Sequence, residues 1–561
     1  MEQIRLIVAV ILSILVFLVW DYFFIPDTPP QPAPQQLAKE EQTVQTPAES
    51  PHEEKLPPSQ PLSDSEKTPI KPPKPAVDES PLPATLVETP LYSAELAGRQ
   101  ACLTRFNLKK YREEKREESS FKHLIADENT RGTGCVDISL KDIPETENTG
   151  FYPSKDTPGP IKVIDSPRTL SYTRAINAFV SIEKRYTFFP DSYAVDLDVI
   201  IKNRSDAPLT GNLGVSLNRY FSGKESRFVF EGPCAYKNGK LEEVKLHKIK
   251  ETPAVSGRLS WIAIQSRYFM SAVIPAQQQD EAVMALTNGD DGMVTAQYRQ
   301  TLPPVSPQAM ATFHYTIYMG PKDIDILKSI GSNLDRAVYF GMFDFIARPC
   351  LWLMKHIYQI IPNYGISIIL VTLIIKLLFW PLGTKSYKSM GEMKKIQPLM
   401  AEIREKYKND KKKMNEEMMG LYKTYKVNPL GGCLPMLVQI PVFIAFYRML
   451  YQAIELRHAP FFLWINDLSA PERLFSFDVS IPLMQPPTGI PVLTIIMGAT
   501  MFLQQKMQPS PGDPAQAKMM LLMPIFLTVI FINFPSGLVL YFIVNNLFSI
   551  FQQHYVTRRK S

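Results

Sequence analysis

Tyr364 to Leu382 reads YGISIILVTLIIKLLFWPL, with a single charge, Lys376. A bilayer core about 30 Å thick is crossed by roughly 20 apolar residues in a helix, so this run predicts a membrane span. An ionisable group inside a span costs roughly 2.5–3.5 kcal/mol on insertion scales and usually marks a water-filled cavity or substrate path. Snorkelling of the long lysine stem to the interface is the competing explanation. Thr372 lies one turn before Lys376, and Pro381 follows it. Four further apolar runs come later, 431–451, 491–504, 519–534 and 536–551, so residues 363–561 read as a five-span helical core. They carry Gln439, Thr528, Asn545 and Asn546. Singly, such residues serve helix–helix hydrogen bonding; with Lys376 and Thr372 they predict a polar interior toward the cytoplasmic side.

Orientation follows from charge. Residues 383–427 hold twelve Lys or Arg, whereas 457–490 hold two, Arg457 and Arg473. The positive-inside rule places the first loop in the cytoplasm. Within it Met390, Met393, Ile396, Met400, Ile403 and Tyr407 recur at helical spacing, as do Met414, Met418, Leu421, Tyr422 and Tyr425. That pattern predicts a hairpin of two amphipathic helices, the first starting or bending at Pro398. Methionine-rich faces adapt to varied partners, and Lys394, Lys395, Lys411, Lys412 and Lys413 suit a phosphate surface, lipid or ribosomal RNA.

Upstream, residues 336–362 place Asp344, Arg348 and Lys355 close to one stripe of a helix, as expected of an amphipathic helix lying in the interface; Pro349 should kink or divide it. Residues 88–335 alternate. Tyr193, Val195, Leu197, Val199 and Ile201 are interleaved with Ala194, Asp196 and Asp198, and Phe313, Tyr315 and Ile317 with Thr312, His314 and Thr316. Period two means half-buried strands, and turn signals at 203–206, 237–239 and 288–290 divide them into an antiparallel β-sandwich. Of the 49 prolines, 17 fall between Pro26 and Pro90, so residues 26–87 read as a disordered tether. Residues 1–25 contain the apolar run Leu6 to Ile25, which ends in aromatic residues without a small-residue cleavage site and therefore reads as an uncleaved signal anchor. Six spans then put both termini in the cytoplasm and the β domain outside, which in a bacterium with an outer membrane is the periplasm. The expected fold class is a polytopic α-helical membrane protein with a large periplasmic β domain.

Several chemistries are excluded. The five cysteines form no C-x-x-C pair, which rules out a dense disulfide framework and leaves only a Cys102–Cys135 bridge open. The seven histidines never fall at metal-ligand spacing, and no P-loop occurs. The spans hold no nucleophile, base and orienter. Neither an enzyme, nor a metal or other cofactor, nor a DNA partner is expected.

NPLGGCLPMLVQIPVFIAFY (428–447), ELRHAPFFLWINDLSAPE (455–472), MGATMFLQQKM (497–507) and FPSGLVLYFIVNN (534–546) closely resemble the YidC membrane-protein insertase family, of the YidC/Oxa/Alb group, in the form found in bacteria with an outer membrane. FEGPCAYKNGK (230–240) and GRLSWIAIQSRYFMSAVIP (257–275) are similar to that family's periplasmic supersandwich. The resemblance covers essentially the whole chain and is weakest before about residue 87. It implies insertion and folding of nascent inner-membrane proteins, alone or with the Sec translocon, with ribosome and lipid bilayer as further partners. It also implies a five-helix core around a hydrophilic groove open to the cytoplasm and to lipid. By the pattern T-x-x-x-[RK]-x-x-x-x-P, the groove's positive residue is Lys376, where the family usually has arginine; lysine lacks the guanidinium fork. Thr372, Gln439, Thr528 and Asn545 would share the groove. Met436, Phe443, Ile530, Tyr541 and Phe542 would form an apolar slide, Phe542 replacing one of two adjacent tyrosines frequent in the family. Two other functions compete. A transporter of a small anionic solute would use Lys376 as its anion site, although no internal repeat relates the spans. A carbohydrate-binding β domain on a membrane anchor would lose function with that domain, whereas an insertase should tolerate loss of much of it.

Overall fold

A computed structural model of the chain describes residues 60–61 and 84–558, apart from 117, 126–134, 144–149, 154–159, 222–228, 290–291, 426, 428–433, 478, 480 and 509–513. At 60–61, 434–438 and 514–517 it describes the backbone alone. The expected anchor, residues 1–25, and nearly all of the tether lie outside the described residues.

The alternating run at 193–201 forms the strand Ala194–Asn203. Its Val195, Leu197, Val199 and Ile201 are buried, while Asp196 and Asp198 on the other face bond Thr316 (2.8 Å) and His314 (2.7 Å) of the neighbouring strand Ala309–Pro321. Both strands lie within a ten-stranded sheet that runs from Lys240–Glu243 at one edge to Tyr152–Pro153 at the other, with Gln60–Pro61 pairing beside Ala309–Pro321. Two five-stranded sheets accompany it. One is ordered Ala254–Gly257, Ala282–Asn288, Met293–Thr301, Asn212–Tyr220, Asp137–Lys141; the other runs from Phe121–His123 to Ile161–Lys162. At the turn 237–239, Asn238 and Gly239 adopt φ of 49° and 78°. Positive φ at both central residues is what a two-residue hairpin of the strands' own twist demands. Trp261 is fully buried and stacks on Tyr236 at 5.6 Å.

Nine α-helices follow among the described residues: α1 (Ile324–Ile330), α2 (Asp344–Ile360), α3 (Tyr364–Leu378), α4 (Trp380–Lys406), α5 (Lys411–Thr424), α6 (Leu434–Gln452), α7 (Val492–Met507), α8 (Pro514–Phe531) and α9 (Ser536–Arg558). The hydrophobic core runs on from the sheets into them. Helices α4 and α5 close a separate small core of Ile396, Met400, Met418 and Val427, and Asp410 caps α5 by accepting from the Lys413 amide.

Several local expectations change. The run 364–382 is not one straight helix, because α3 and α4 meet at Phe379 with a 65° bend. Pro349 and Pro398 each sit inside a continuous helix, so neither divides its element. The polar stripe of α2 turns toward protein. Arg348 bonds Asp344 (2.7 Å), Asp335 (3.2 Å) and the Val338 carbonyl (2.8 Å); Lys355 pairs with Asp323 (3.2 Å), Asp325 and Glu455 (3.3 Å). It is Phe345 and Trp352 that stand exposed on α2.

Those ion pairs belong to a junction between the sheets and the loop after α6. Arg267 donates to the Tyr451 carbonyl at 2.6 Å and lies 3.8 Å from the Tyr451 ring. Arg457 donates to the carbonyls of Arg112 and Glu113.

Candidate functional site

The bend at Phe379 has a local cause. Pro381 has no amide hydrogen to give to residue 377, and its ring crowds that carbonyl. The backbone at the break is caught by α9: Gln552 donates to the Trp380 carbonyl at 2.9 Å, and the Trp380 ring packs among Phe548, Phe551 and Tyr555. One turn further on, a Cβ on Gly383 would stand 2.8 Å from the Gln552 amide, so glycine is what lets α4 pass this close to α9.

Lys376 sits just before the bend. Its Nζ donates to Ser549 Oγ at 2.8 Å and to Gln439 Oε1 at 3.4 Å. Gln439 in turn donates to Asn545 Oδ1 and bonds the Tyr541 side chain, while Tyr387 bonds Ser549. Helices α3, α6 and α9 thus bring together Lys376, Gln439 and Asn545 with Ser549, which sequence reasoning missed. Asn545, Ser549 and Gln552 lie at i, i+4 and i+7 on α9, a polar stripe on one helix face that was available as a signal. Beside the ammonium is a cavity of about 50 Å³, lined by Lys376, Phe379, Gly383, Tyr387, Gln439 and Gln552. That is room for a few water molecules. Among the described residues no carboxylate pairs with Lys376; its protein partners are neutral oxygens. A cation so placed has capacity for an incoming anion, and charge-assisted hydrogen bonds are about twice as strong as neutral ones.

The other groove candidates sit elsewhere. Thr372 is buried and returns its hydroxyl to the Ile368 carbonyl at 2.6 Å. Thr528 bonds the Pro524 carbonyl at 2.7 Å and packs on Gly498 of α7, so it joins α8 to α7. Asn546 bonds Thr500 at 3.2 Å, joining α9 to α7.

Around this polar interior the helices are greasy on the outside. Ile374, Leu377 and Leu378 on α3, Ile495, Ile496 and Leu503 on α7, Leu522, Ile525 and Phe526 on α8, and Leu547 and Phe551 on α9 are all exposed. Apolar surface on this scale, wrapped around buried polar groups, fits lipid and not water. By length and composition, no single helix among the described residues is long and apolar enough to cross a membrane, whereas the bent pair α3–α4 is.

A family model described as the YidC periplasmic domain matches residues 85–353, and one described as the 60Kd inner membrane protein matches residues 356–561. The chain is 39% identical over 560 residues to the membrane protein insertase YidC of Syntrophus aciditrophicus, covering 99% of each chain. This chain belongs to the YidC membrane protein insertase family. It is also 39% identical over 577 residues to the YidC insertase of Syntrophobacter fumaroxidans, again covering 99% of each. Among solved structures it is similar to an active YidC insertase with its first transmembrane domain resolved, at a TM-score of 0.37 and 19% identity, covering 85% of this chain and 95% of that one.

The two family matches and the observed elements give a YidC-like fold with a β-rich periplasmic domain and a C-terminal helical region. Of the slide residues suggested by the YidC resemblance, Phe443, Tyr541 and Phe542 join one aromatic cluster with Phe446 and Phe531, at ring separations of 4.8 to 6.4 Å. Tyr541 is buried within it, and Ile530 on α8 is exposed. The Met436 side chain lies outside the described residues. Lys394, Lys395, Lys411, Lys412 and Lys413 are all exposed on α4 and α5. One group of metal-type side chains comes together among the described residues, Cys102 with Cys135 and Asp137, in the β domain.

Proposed function

We propose that this chain inserts nascent membrane proteins by receiving the polar or acidic part of a client beside Lys376 while the client's apolar segment passes into lipid. The observation that carries this reading is the Lys376 ammonium, held by neutral oxygens at a cavity between helices whose outer faces are apolar. A carboxylate entering the cavity exchanges water for a charge-assisted bond, and the distance it must cross through hydrocarbon shrinks. Burial of the client's apolar side chains supplies the driving force at roughly 25 cal/mol per Å². An inside-negative potential adds about 2.3 kcal/mol per charge per 100 mV for an exported acidic residue. No nucleotide is required.

In this reading six spans place the α4–α5 hairpin and both termini in the cytoplasm, following the lysine-rich loop. The five exposed hairpin lysines meet the ribosome or lipid headgroups, and the Sec translocon is a further partner. Phe443, Tyr541 and Phe542 make a stiff aromatic wall behind the cavity, and Ile530 with its α8 neighbours offers the lipid-side slide.

Reconstitution tests the assignment. Purified chain in liposomes, without nucleotide, is expected to render a short Sec-independent client resistant to external protease at several times the level of empty liposomes. Failure to insert that client, together with uptake of a small labelled anion, would establish the transporter reading in its place.

A further inference from the structure

Outside the membrane core, three segments of the β domain converge on a buried cluster. Leu103 and Val136 pair through reciprocal backbone hydrogen bonds, 3.4 and 3.0 Å, which brings the adjoining Cys102 and Cys135 together. The two sulfurs and a carboxylate oxygen of Asp137 all lie within 4.8 Å of one another, and the Cys102 thiol donates to Gln100 Oε1 at 3.6 Å. Lys184, wholly buried, reaches in from the strand Val180–Phe188. Its ammonium donates to the carbonyls of Gln100 (2.8 Å) and Ala101 (3.2 Å), pairs with Asp137, and lies 4.1 Å from the centre of the Phe151 ring.

We propose that Cys102 and Cys135 are a redox-active pair that closes to a disulfide in the periplasm. The proposal rests on the periplasmic placement of this domain, a compartment in which disulfides form and persist. Cys102 is fully buried and Cys135 is partly exposed. The neighbouring Cys135, and then burial, hold the Cys102 thiol well above the ordinary thiol range; Cys135, the more exposed of the two, is the thiol that meets an oxidant. With a protein disulfide of the C-x-x-C class as oxidant, the Cys135 thiolate attacks one sulfur and expels one oxidant thiolate. Cys102 then loses its proton to water, attacks the Cys135 sulfur and expels the oxidant's second sulfur, and the two protons released by the pair return from solvent to the oxidant's two thiolates. Two electrons and two protons end on the oxidant as its two thiols. Metal binding fits the cluster less well, because the Asp137 carboxylate already holds an ammonium where a cation would sit.

Thiol counting on the full chain tests this. The chain is expressed in a host with a periplasm, quenched in acid, denatured, and labelled with a polyethylene-glycol maleimide. The chain has five cysteines; three should label before reduction and five after it, and the pair Cys102→Ser, Cys135→Ser should label three times in both states. Peptide mass spectrometry of the unreduced wild type should show 102 joined to 135. Reduction should lower the β domain's unfolding temperature by roughly 5–10 °C, as expected for a bond closing a loop of this size. Five labels without reduction, in spheroplasts whose β domain is cut by external protease, overturn the bond while leaving the topology intact. Five labels with a protease-protected domain overturn the placement and the bond together. Labelling of the native, unquenched chain at 102 and 135 that rises with a chelator and not with a reductant overturns the disulfide in favour of a metal site.

Discussion

Lys376→Ala loses insertion of clients that carry an acidic residue in the translocated segment by roughly 10- to 100-fold, and Lys376→Arg keeps most of it. The magnitude follows from the value of a hydrogen bond to a charged group, about 1.5–3 kcal/mol. The ammonium's partners, Ser549 and Gln439, are neutral, so nothing in the site replaces the charge once it is removed. Arginine restores a permanent cation, and the adjoining cavity gives its longer head room. Ser549→Ala should have a smaller effect, since Gln439 still holds the ammonium. The measurement is growth and client insertion after depletion of the host's own insertase. Clients without acidic residues are the internal control, because apolar burial drives them through either variant.

The second large effect lies at the junction. Lys355→Met should destabilise the full chain in detergent by about 3 kcal/mol, near the low end for opening a buried ion pair. Glu455 is buried to 7% side-chain exposure, and Lys355 is its ion-pair partner at 3.3 Å. Burial raises the pKa of Glu455, an effect opposed by Lys355. Burial alone would also lower the pKa of Lys355, yet Glu455, Asp325 and Asp323 together raise it above the usual lysine range. A carboxyl whose folded pKa lies above its unfolded value of about 4.3 favours the fold at low pH and loses that contribution as pH rises through the folded value. Without Lys355 the Glu455 pKa climbs further, so the deficit of the variant should be small near pH 4 and full near pH 7. Lys355→Met combined with Glu455→Gln should recover much of the loss. Equal deficits at both pH values would show that Lys355 acts through packing of its stem and not through charge.

Much of this architecture was legible because it rests on short-range periodicity. The alternation around Val195, Leu197 and Val199 reports a strand whatever it pairs with, and the apolar spacing of Met393, Ile396, Met400, Met414 and Met418 reports a helical hairpin with its own core. Lys376 stood out for the same reason, as a charge in an apolar run. What the pattern did not carry is who meets whom. Ser549 lies 173 residues from Lys376, and only the packing of α3 against α9 selects it over Thr528, which the same reasoning favoured and which the fold spends on the α7–α8 contact. The stripe of α2 was read correctly as polar, but whether it faces water or Asp323, Asp335 and Glu455 depends on a junction formed by segments far apart in the chain. The bend at Phe379 is signalled by Pro381, which the reading of 364–382 as one apolar span includes without assigning it a turn.

Site-specific crosslinking tests the central claim most directly. A photoreactive side chain at Phe379 or Gln439, both lining the cavity, is challenged with a ribosome-stalled client bearing one aspartate near its apolar segment. The account predicts strong crosslinks to the aspartate region from both positions, reduced several-fold by Lys376→Ala or by Asp to Asn in the client. Insertion that proceeds with crosslinks only from outward positions such as Leu377 or Ile525, unaffected by either change, would contradict it.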